Sequence, residues 1–248
     1  MKIGIIGMGN MGGAIAKALS EHDLYVYDIN QEKISDEKHP MTSEKEVVEN
    51  ADYIFLAVKP QYMAGCIDNI GKNDEKIFIS IAAGLKIEFF EKYFKKVVRV
   101  MPNTPCLVGE MSGAYANNEG LNNIENSTVH GILNFIGTCL HMQEDKINAM
   151  TPLSGSGPAF FAYISKAMVD AAVELGIERH EARLLAQKTM LGTAKMLEIM
   201  SEDELMTMVA SPGGSTRVGL DSMDEDKVSD AIKKMTNAAY QKNIELGE

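Results

Sequence analysis

Short apolar runs alternate with amphipathic and polar segments through the first half of the chain. Lys2–Ile6 (KIGII) opens as a buried strand, followed by Gly7-Met8-Gly9-Asn10-Met11-Gly12 and a helix-forming run to Leu19. Leu24–Asp28 is a second strand. The polar stretch 29–42 stands where a longer helix would be usual, and Ser43-x-x-Glu46 reads as a capping box for a short helix to about Asn50. Tyr53–Val58 is continuously apolar, as a strand covered on both faces must be. A helix near Tyr62–Ile70, a strand at Lys76–Ile81, a helix at Ile87–Phe94 and a strand at Val97–Met101 continue the alternation. Further strands are expected at Gly113–Ala116 and Cys139–Gln143, around a helix near Ile124–Ile136. Runs this short favour strands over buried helices. Strand and helix in repeated alternation build a parallel sheet with right-handed crossovers.

From about Ile147 the strand pattern stops. Helices are expected at Gly157–Leu175, with Gly176 as a stop, and at Glu181–Met200. Ser201-x-x-Glu204 is a capping box for a short helix to about Val209, and Asp224–Leu246 is the last helix. Between them Ser211-Pro212-Gly213-Gly214-Ser215-Thr216 reads as non-helical. The fold class is therefore α/β: a Rossmann-like parallel-sheet domain at 1–147, then an all-α domain at 148–248. About a hundred residues in four or so helices give a thin core, so the helical half is expected to complete it against a second copy of itself, as a homodimer.

Composition narrows the function. The net charge of −11 argues against nucleic acid or an anionic membrane as partner, and no run of 18 apolar residues occurs. Cys66, Cys106 and Cys139 are odd in number and far apart, which suits a reducing cytoplasm and argues against disulfides. The five histidines form no ligand-spaced pair, so no metal is expected. The 17 methionines read as core filler.

Strand, glycine turn and helix in that order fit a dinucleotide-binding turn. Gly7 permits the tight turn, Gly9 lets a pyrophosphate approach the backbone, and Gly12 lets helix and strand pack closely. The intervening Met8, Asn10 and Met11 present backbone N–H groups at the helix start. Asp28, at the end of strand two, is placed to accept hydrogen bonds from the adenosine ribose; it could equally start a turn. Val58-Lys59-Pro60 and Met101-Pro102-Asn103-Thr104-Pro105 end strands three and five, where open parallel sheets bind ligands. Lys59 there either contacts phosphates or is solvated. Asn103 is either a directional polar group or part of a stiff turn. Ser154-Gly155-Ser156-Gly157-Pro158 leads into the first long helix as an anion site or as a tight helix entry. In Ser211–Thr216, Gly213 and Gly214 expose backbone N–H groups and three hydroxyls stand beside them. Such a loop can bind a carboxylate without a fixed positive charge.

GMGNMG (7–12), LAVKPQ (56–61), SIAAG (80–84), VRVMPNTP (98–105), SGSGPAFF (154–161), DAAVELG (170–176) and SPGGSTRVGL (211–220) together resemble the pyrroline-5-carboxylate reductase family, over essentially the whole chain. The resemblance implies hydride transfer from NAD(P)H to the C=N bond of 1-pyrroline-5-carboxylate, giving L-proline. It implies a C-terminal dimerisation domain, active sites where one cofactor domain meets the helices of the dimer, and often a pentamer of dimers. By motif position, Ser211, Gly213, Gly214, Ser215 and Thr216 hold the substrate carboxylate, and the Thr216 hydroxyl meets the ring nitrogen as the catalytic group. Ala57, Val58, Lys59, Pro60, Ala82, Ala83 and Asn103 line the cofactor with Gly7–Gly12 and Asp28. The position where members usually carry an asparagine near the ribose is Glu44 here. With Asp28 it would place two carboxylates near a 2′-phosphate, which favours NADH over NADPH. Alternatively Glu44 faces solvent and Lys33 or Lys45 compensates. A coenzyme F420-dependent NADP reductase shares the glycine turn but has no need of SPGGST.

Overall fold

A computed structural model describes residues 1–37 and 39–247; Lys38, in the polar stretch 29–42, and Glu248, at the end of the helical half, lie outside the described residues. The chain divides into two compact units, 1–158 with 239–248, and 159–238.

In the first unit eight strands form one sheet in the order β3-β2-β1-β4-β5-β6-β7-β8. The strands are β1 (Lys2–Ile6), β2 (Asp23–Tyr27), β3 (His39–Pro40), β4 (Tyr53–Leu56), β5 (Asn73–Ser80), β6 (Phe94–Met101), β7 (Met111–Asn117) and β8 (Gly137–His141). The helices of this unit are α1 (Asn10–Ala18), α2 (Glu44–Asn50), α3 (Pro60–Ile70), α4 (Ile87–Glu91), α5 (Asn123–Asn134) and α6 (Glu144–Ser154). They cover both faces. On one, Ile3, Ile5, Phe55 and Ile79 pack with Ile15 and Leu19 of α1 and with Val129, Ile132 and Leu133 of α5. On the other, Ile54, Leu56, Phe78 and Val97 pack with Val47 of α2, Met63 and Ile67 of α3, Phe90 of α4 and Ile147 of α6. This two-sided burial explains why the central strands read as unbroken apolar runs.

The structure departs from the sequence expectation in several places. β6 and β7 pair antiparallel, whereas β7 and β8 pair parallel again. The link from Met101 to Met111 is too short for a helical crossover, so the chain can only turn back. The polar stretch after β2 contains a 3₁₀ turn, Gln31–Ile34, that buries Ile34, and then β3, a two-residue edge strand ending in Pro40. Ser43 caps α2 as expected, accepting from the Glu46 N–H. The return half of the capping box shifts by one residue, because the Glu46 carboxylate takes the N–H of Thr42. α6, which the sequence reading did not place, packs on β6 and β7. The first unit therefore extends past the change of pattern near 147.

The second unit contains most of α7 (Gly157–Glu174), α8 (Arg179–Met196), α9 (Glu202–Val209), α10 (Ser215–Glu225) and the start of α11 (Val228–Gly247). The expected capping box of α9 is present in full, Ser201 with Glu204. The last expected helix, Asp224–Leu246, is α11, which starts four residues later, at Val228; before it stands α10, which the sequence reading did not place, and between the two the chain passes through Lys227 in the left-handed region (φ 53°).

Close packing of α1 on the turn before it fixes the N-terminal motif. Gly7 has φ 100°, and a Cβ on Gly12 would lie 1.9 Å from the Gly7 carbonyl oxygen. The Gly12→Ala variant is therefore expected to lose about 2 kcal/mol or more. Gly13→Ala, where a Cβ meets nothing within 4 Å, should gain about 0.5–1 kcal/mol. Urea unfolding midpoints of the two variants check this contrast.

Candidate active site

The glycine turn is held from the side by the end of β2. The Gly7 N–H donates to the Tyr27 carbonyl at 2.8 Å, and the Met8 N–H donates to Asp28 Oδ2 at 2.7 Å. The other oxygen of Asp28 accepts the Asn30 N–H at 2.9 Å, and the Lys33 ammonium approaches Oδ2 at 3.3 Å. Asp28 is buried. Burial pushes its carboxyl up, but the Asn30 and Met8 N–H groups and the Lys33 ammonium outweigh this and hold it below the usual aspartate range. The carboxylate is thus charged at neutral pH and occupied by the protein's own donors.

Beyond the turn lies a cleft of about 570 Å³ at the C-terminal ends of β1, β2 and β4. Of the residues expected at a cofactor, it brings together Gly7, Gly9, Asp28, Ala57, Val58 and Lys59. Lys33, Tyr27, Glu44, Cys66 and Asn69 also line it, with Ile29 and Tyr62 as exposed apolar walls. Glu44 lines the cleft, with Oε1 accepting from Asn69 Nδ2 at 3.1 Å. A Cβ on Gly9 would meet nothing within 4 Å, so the space over the start of α1 is open, and the first turn of α1 carries no acidic residue. An open helix N-terminus without a carboxylate suits a pyrophosphate. The residues present therefore fit the adenosine and phosphate part of a dinucleotide.

Met8, Asn10, Met11, Gly12, Pro60, Ala82, Ala83 and Asn103 are not among the walls of this cleft. Ala82 is buried, with its N–H 3.3 Å from Ser80 Oγ, and Ala83 is exposed. Asn103 is buried with both ends of its amide used. Nδ2 donates to the Ser154 carbonyl at 3.0 Å, and Oδ1 accepts the Ser112 N–H at 2.9 Å. It ties the loop after β6 to β7 and to the end of α6, which is the stiff-turn reading of the MPNTP motif. Ser154 Oγ donates to the Ser112 carbonyl in the same tie.

Sequence reasoning missed a second buried tie. Arg99 of β6 donates to Glu144 Oε1 at 3.1 Å and to Asn148 Oδ1 at 3.1 Å, and Glu144 Oε1 also accepts the Ile87 N–H at 2.8 Å. Only an arginine within the otherwise apolar run Val97–Met101 hinted at it. The three cysteines are free and buried; burial pushes the thiols of Cys66 and Cys139 up to about 12 and that of Cys106 to about 11. They are inert as thiolates at neutral pH. Among the described residues, no group of three His, Cys, Asp or Glu side chains is placed to hold a metal ion, and no helix is long and apolar enough to cross a membrane.

In the helical unit, Ser211–Gly214 forms a tight turn that starts α10. Gly213 has φ 71°, the Gly214 N–H donates to the Ser211 carbonyl at 3.0 Å, and Gly214 is the N-cap of the helix. Ser215 and Thr216 are thus the first helical residues, a correction to the non-helical reading of that pair. With glycine as the cap, no side chain among the described residues satisfies the first N–H groups of α10. They stand beside the hydroxyls of Ser211, Ser215 and Thr216, in an arrangement able to receive a carboxylate. Arg217 pairs with Asp221 at 2.6 Å along the helix, which leaves the turn to neutral donors. One copy of this unit buries Val169 and Ala182 but leaves Phe161, Leu184, Leu191, Met206 and Val209 exposed.

Residues 144–246 match the family model described as pyrroline-5-carboxylate reductase dimerisation. Residues 2–84 match the one described as NADP oxidoreductase, coenzyme F420-dependent. The pyrroline-5-carboxylate reductase of Methanosarcina acetivorans is 35% identical, over 100% of this chain and 98% of that protein. Among solved structures, the pyrroline carboxylate reductase of Plasmodium falciparum with NADP bound is 31% identical with a TM-score of 0.87, covering 100% of this chain and 98% of its own. The pyrroline-5-carboxylate reductase of Coxiella burnetii is 28% identical with a TM-score of 0.92, over the same shares of the two chains. With a cleft beside the glycine turn and a glycine-capped helix start already in place, end-to-end similarity at this level leads to one conclusion: the chain belongs to the pyrroline-5-carboxylate reductase family.

Proposed function

We propose that this protein reduces 1-pyrroline-5-carboxylate to L-proline with NAD(P)H. The observation that carries the reading is the glycine-capped start of α10. It offers N–H groups and hydroxyls for a carboxylate, in a chain that also holds a dinucleotide cleft. A bound nicotinamide cofactor would supply a hydride to the C=N carbon. The work of this chain is to orient the acceptor. The N–H groups around Gly213–Thr216 hold the substrate carboxylate, and the Thr216 hydroxyl hydrogen-bonds the ring nitrogen. That nitrogen enters already protonated and becomes the amine, so no strong general acid is required. Rate enhancement then comes mainly from holding the reactants aligned, worth up to about 7–11 kcal/mol in favourable cases.

The sequence division at 147–148 assigns cofactor binding to the first part, and substrate binding and dimerisation to the second. The exposed apolar helices and the dimerisation-model match support a homodimer, and a pentamer of dimers is the larger assembly proposed. Three inert, buried thiols and a net charge of −11 suit a cytoplasmic enzyme with no nucleic-acid or membrane partner. The cleft carries two carboxylates, Asp28 and Glu44, and two lysines, Lys33 and Lys59; Lys33 pairs with Asp28, and among the described residues Glu44 has no ion-pair partner. This balance supports NADH as the preferred cofactor.

Two predictions follow from the site. Initial rates with 1-pyrroline-5-carboxylate should show turnover with either cofactor and a higher kcat/KM for NADH. No turnover despite nucleotide binding would contradict the reaction, whereas a higher value for NADPH would contradict only the preference. Thr216→Ala should lower kcat by about tenfold, the worth of one hydrogen bond, without abolishing it. Complete loss of turnover in a folded variant would make Thr216 an essential proton donor.

A further inference from the structure

We propose that the two carboxylates of the cleft divide the work: Asp28 positions the glycine turn through the Met8 amide, and Glu44 reads the 2′ position of the ribose. The proposal deepens the cofactor reading above and rests on the cleft being the dinucleotide site.

The sequence motif assigns the ribose to Asp28, but its oxygens are already committed. Oδ2 accepts the Met8 N–H at 2.7 Å and the Lys33 ammonium at 3.3 Å, and Oδ1 accepts the Asn30 N–H at 2.9 Å. A carboxylate offers about four lone-pair sites, so three are filled from within the protein. Its side chain is 9% exposed, and Lys33 balances its charge. The neighbouring bond from the Gly7 N–H to the Tyr27 carbonyl makes the contact continuous. Successive amides of the turn thus dock on the last residue of β2 and on the one that follows it. Asp28 therefore sets the path of the backbone that must accept a pyrophosphate, whichever nucleotide carries it.

Glu44 has the opposite character. It is the first residue of α2, is only half-buried, and lines the same cleft. Oε1 holds one neutral donor, Asn69; among the described residues Oε2 has no donor and the side chain no ion pair. Its charge reaches the cleft floor. Burial raises the Tyr27 phenol and the Cys66 thiol, and in both Glu44 adds to the rise. A free oxygen here can accept a ribose hydroxyl, whereas a 2′-phosphate would meet a carboxylate that neither lysine of the cleft, Lys33 or Lys59, pairs with.

The test compares Asp28→Ala, Asp28→Asn and Glu44→Gln with the wild type. It uses KM and kcat for both cofactors, and dissociation constants for NADH and NADPH measured without substrate. Circular dichroism first confirms that each variant is folded at the assay temperature. Asp28→Ala should weaken both cofactors together by about tenfold, mainly in KM, and leave the NADH-to-NADPH ratio within about twofold of wild type. Asp28→Asn keeps an acceptor for the Met8 N–H and should recover part of that loss. If the alanine variant does not fold, the asparagine variant carries the same ratio test. Glu44→Gln should move the ratio about tenfold toward NADPH. A selective gain for NADPH in either Asp28 variant would make Asp28 a ribose reader and overturn the proposal. So would an unchanged ratio in Glu44→Gln. The dissociation constants give these answers whether or not 1-pyrroline-5-carboxylate is reduced. Failure of the reaction reading and failure of this division are therefore distinguishable.

Discussion

The glycines of a tight turn bring no side chains to hold its shape. They remove steric barriers but supply no bonds, so the turn must be gripped by something else. Here the grip is the end of β2, through Tyr27 and Asp28 to the N–H groups of Gly7 and Met8. A hydrogen bond to a charged acceptor in a buried setting contributes about 1.5–3 kcal/mol, more than a neutral backbone bond would. Lys33 and Asn30 keep the acceptor charged and aimed. Together with the close packing of Gly12 on the Gly7 carbonyl, that contact sets the turn from which α1 starts and beside which the cleft opens. A ligand that needs the turn in this shape then finds it already formed, and its binding need not include the cost of ordering.

The helical unit faces a different constraint. Its helices carry apolar residues that one copy cannot cover, and Val169 and Ala182 are nearly all it buries. Such a surface is stable in water only when another surface closes over it. The glycine-capped start of α10 therefore belongs to a unit whose stability is tied to association. In an obligate dimer, dilution and loss of structure are expected to go together.

Local, contiguous signals were legible in the sequence. The strand, glycine turn and helix at 2–19, the continuous run at 53–58 and the Ser201–Glu204 cap each depend on neighbours in the chain, and each appears close to where the pattern puts it. What could not be read depends on contacts across the chain. Arg99 finds Glu144 and Asn148 on a helix whose apolar pattern is weak and which carries Pro152 inside it. Asn103 is legible as a polar group in a stiff loop, but the partners of its amide, Ser112 and Ser154, lie nine and 51 residues away in the chain. The reversal of β7 follows from a short link that the alternation of strands and helices conceals. At 211–216 the glycines and proline correctly announced a turn. They hid the helix that begins at Ser215, because serine, threonine and arginine at a helix start look like more of the same loop. Asp28 is the subtlest case: its place at the end of β2 was legible, but the donors that fill its oxygens were not.

The central physical claim is that β2 fixes the glycine turn before any nucleotide arrives. The direct measurement is hydrogen exchange at the Met8 amide in the nucleotide-free protein, resolved by NMR. The account predicts that this amide is protected to the same degree as the interior amides of β1. Exchange at the rate of an exposed loop would contradict it, and would mean that the turn takes its shape only when a cofactor binds.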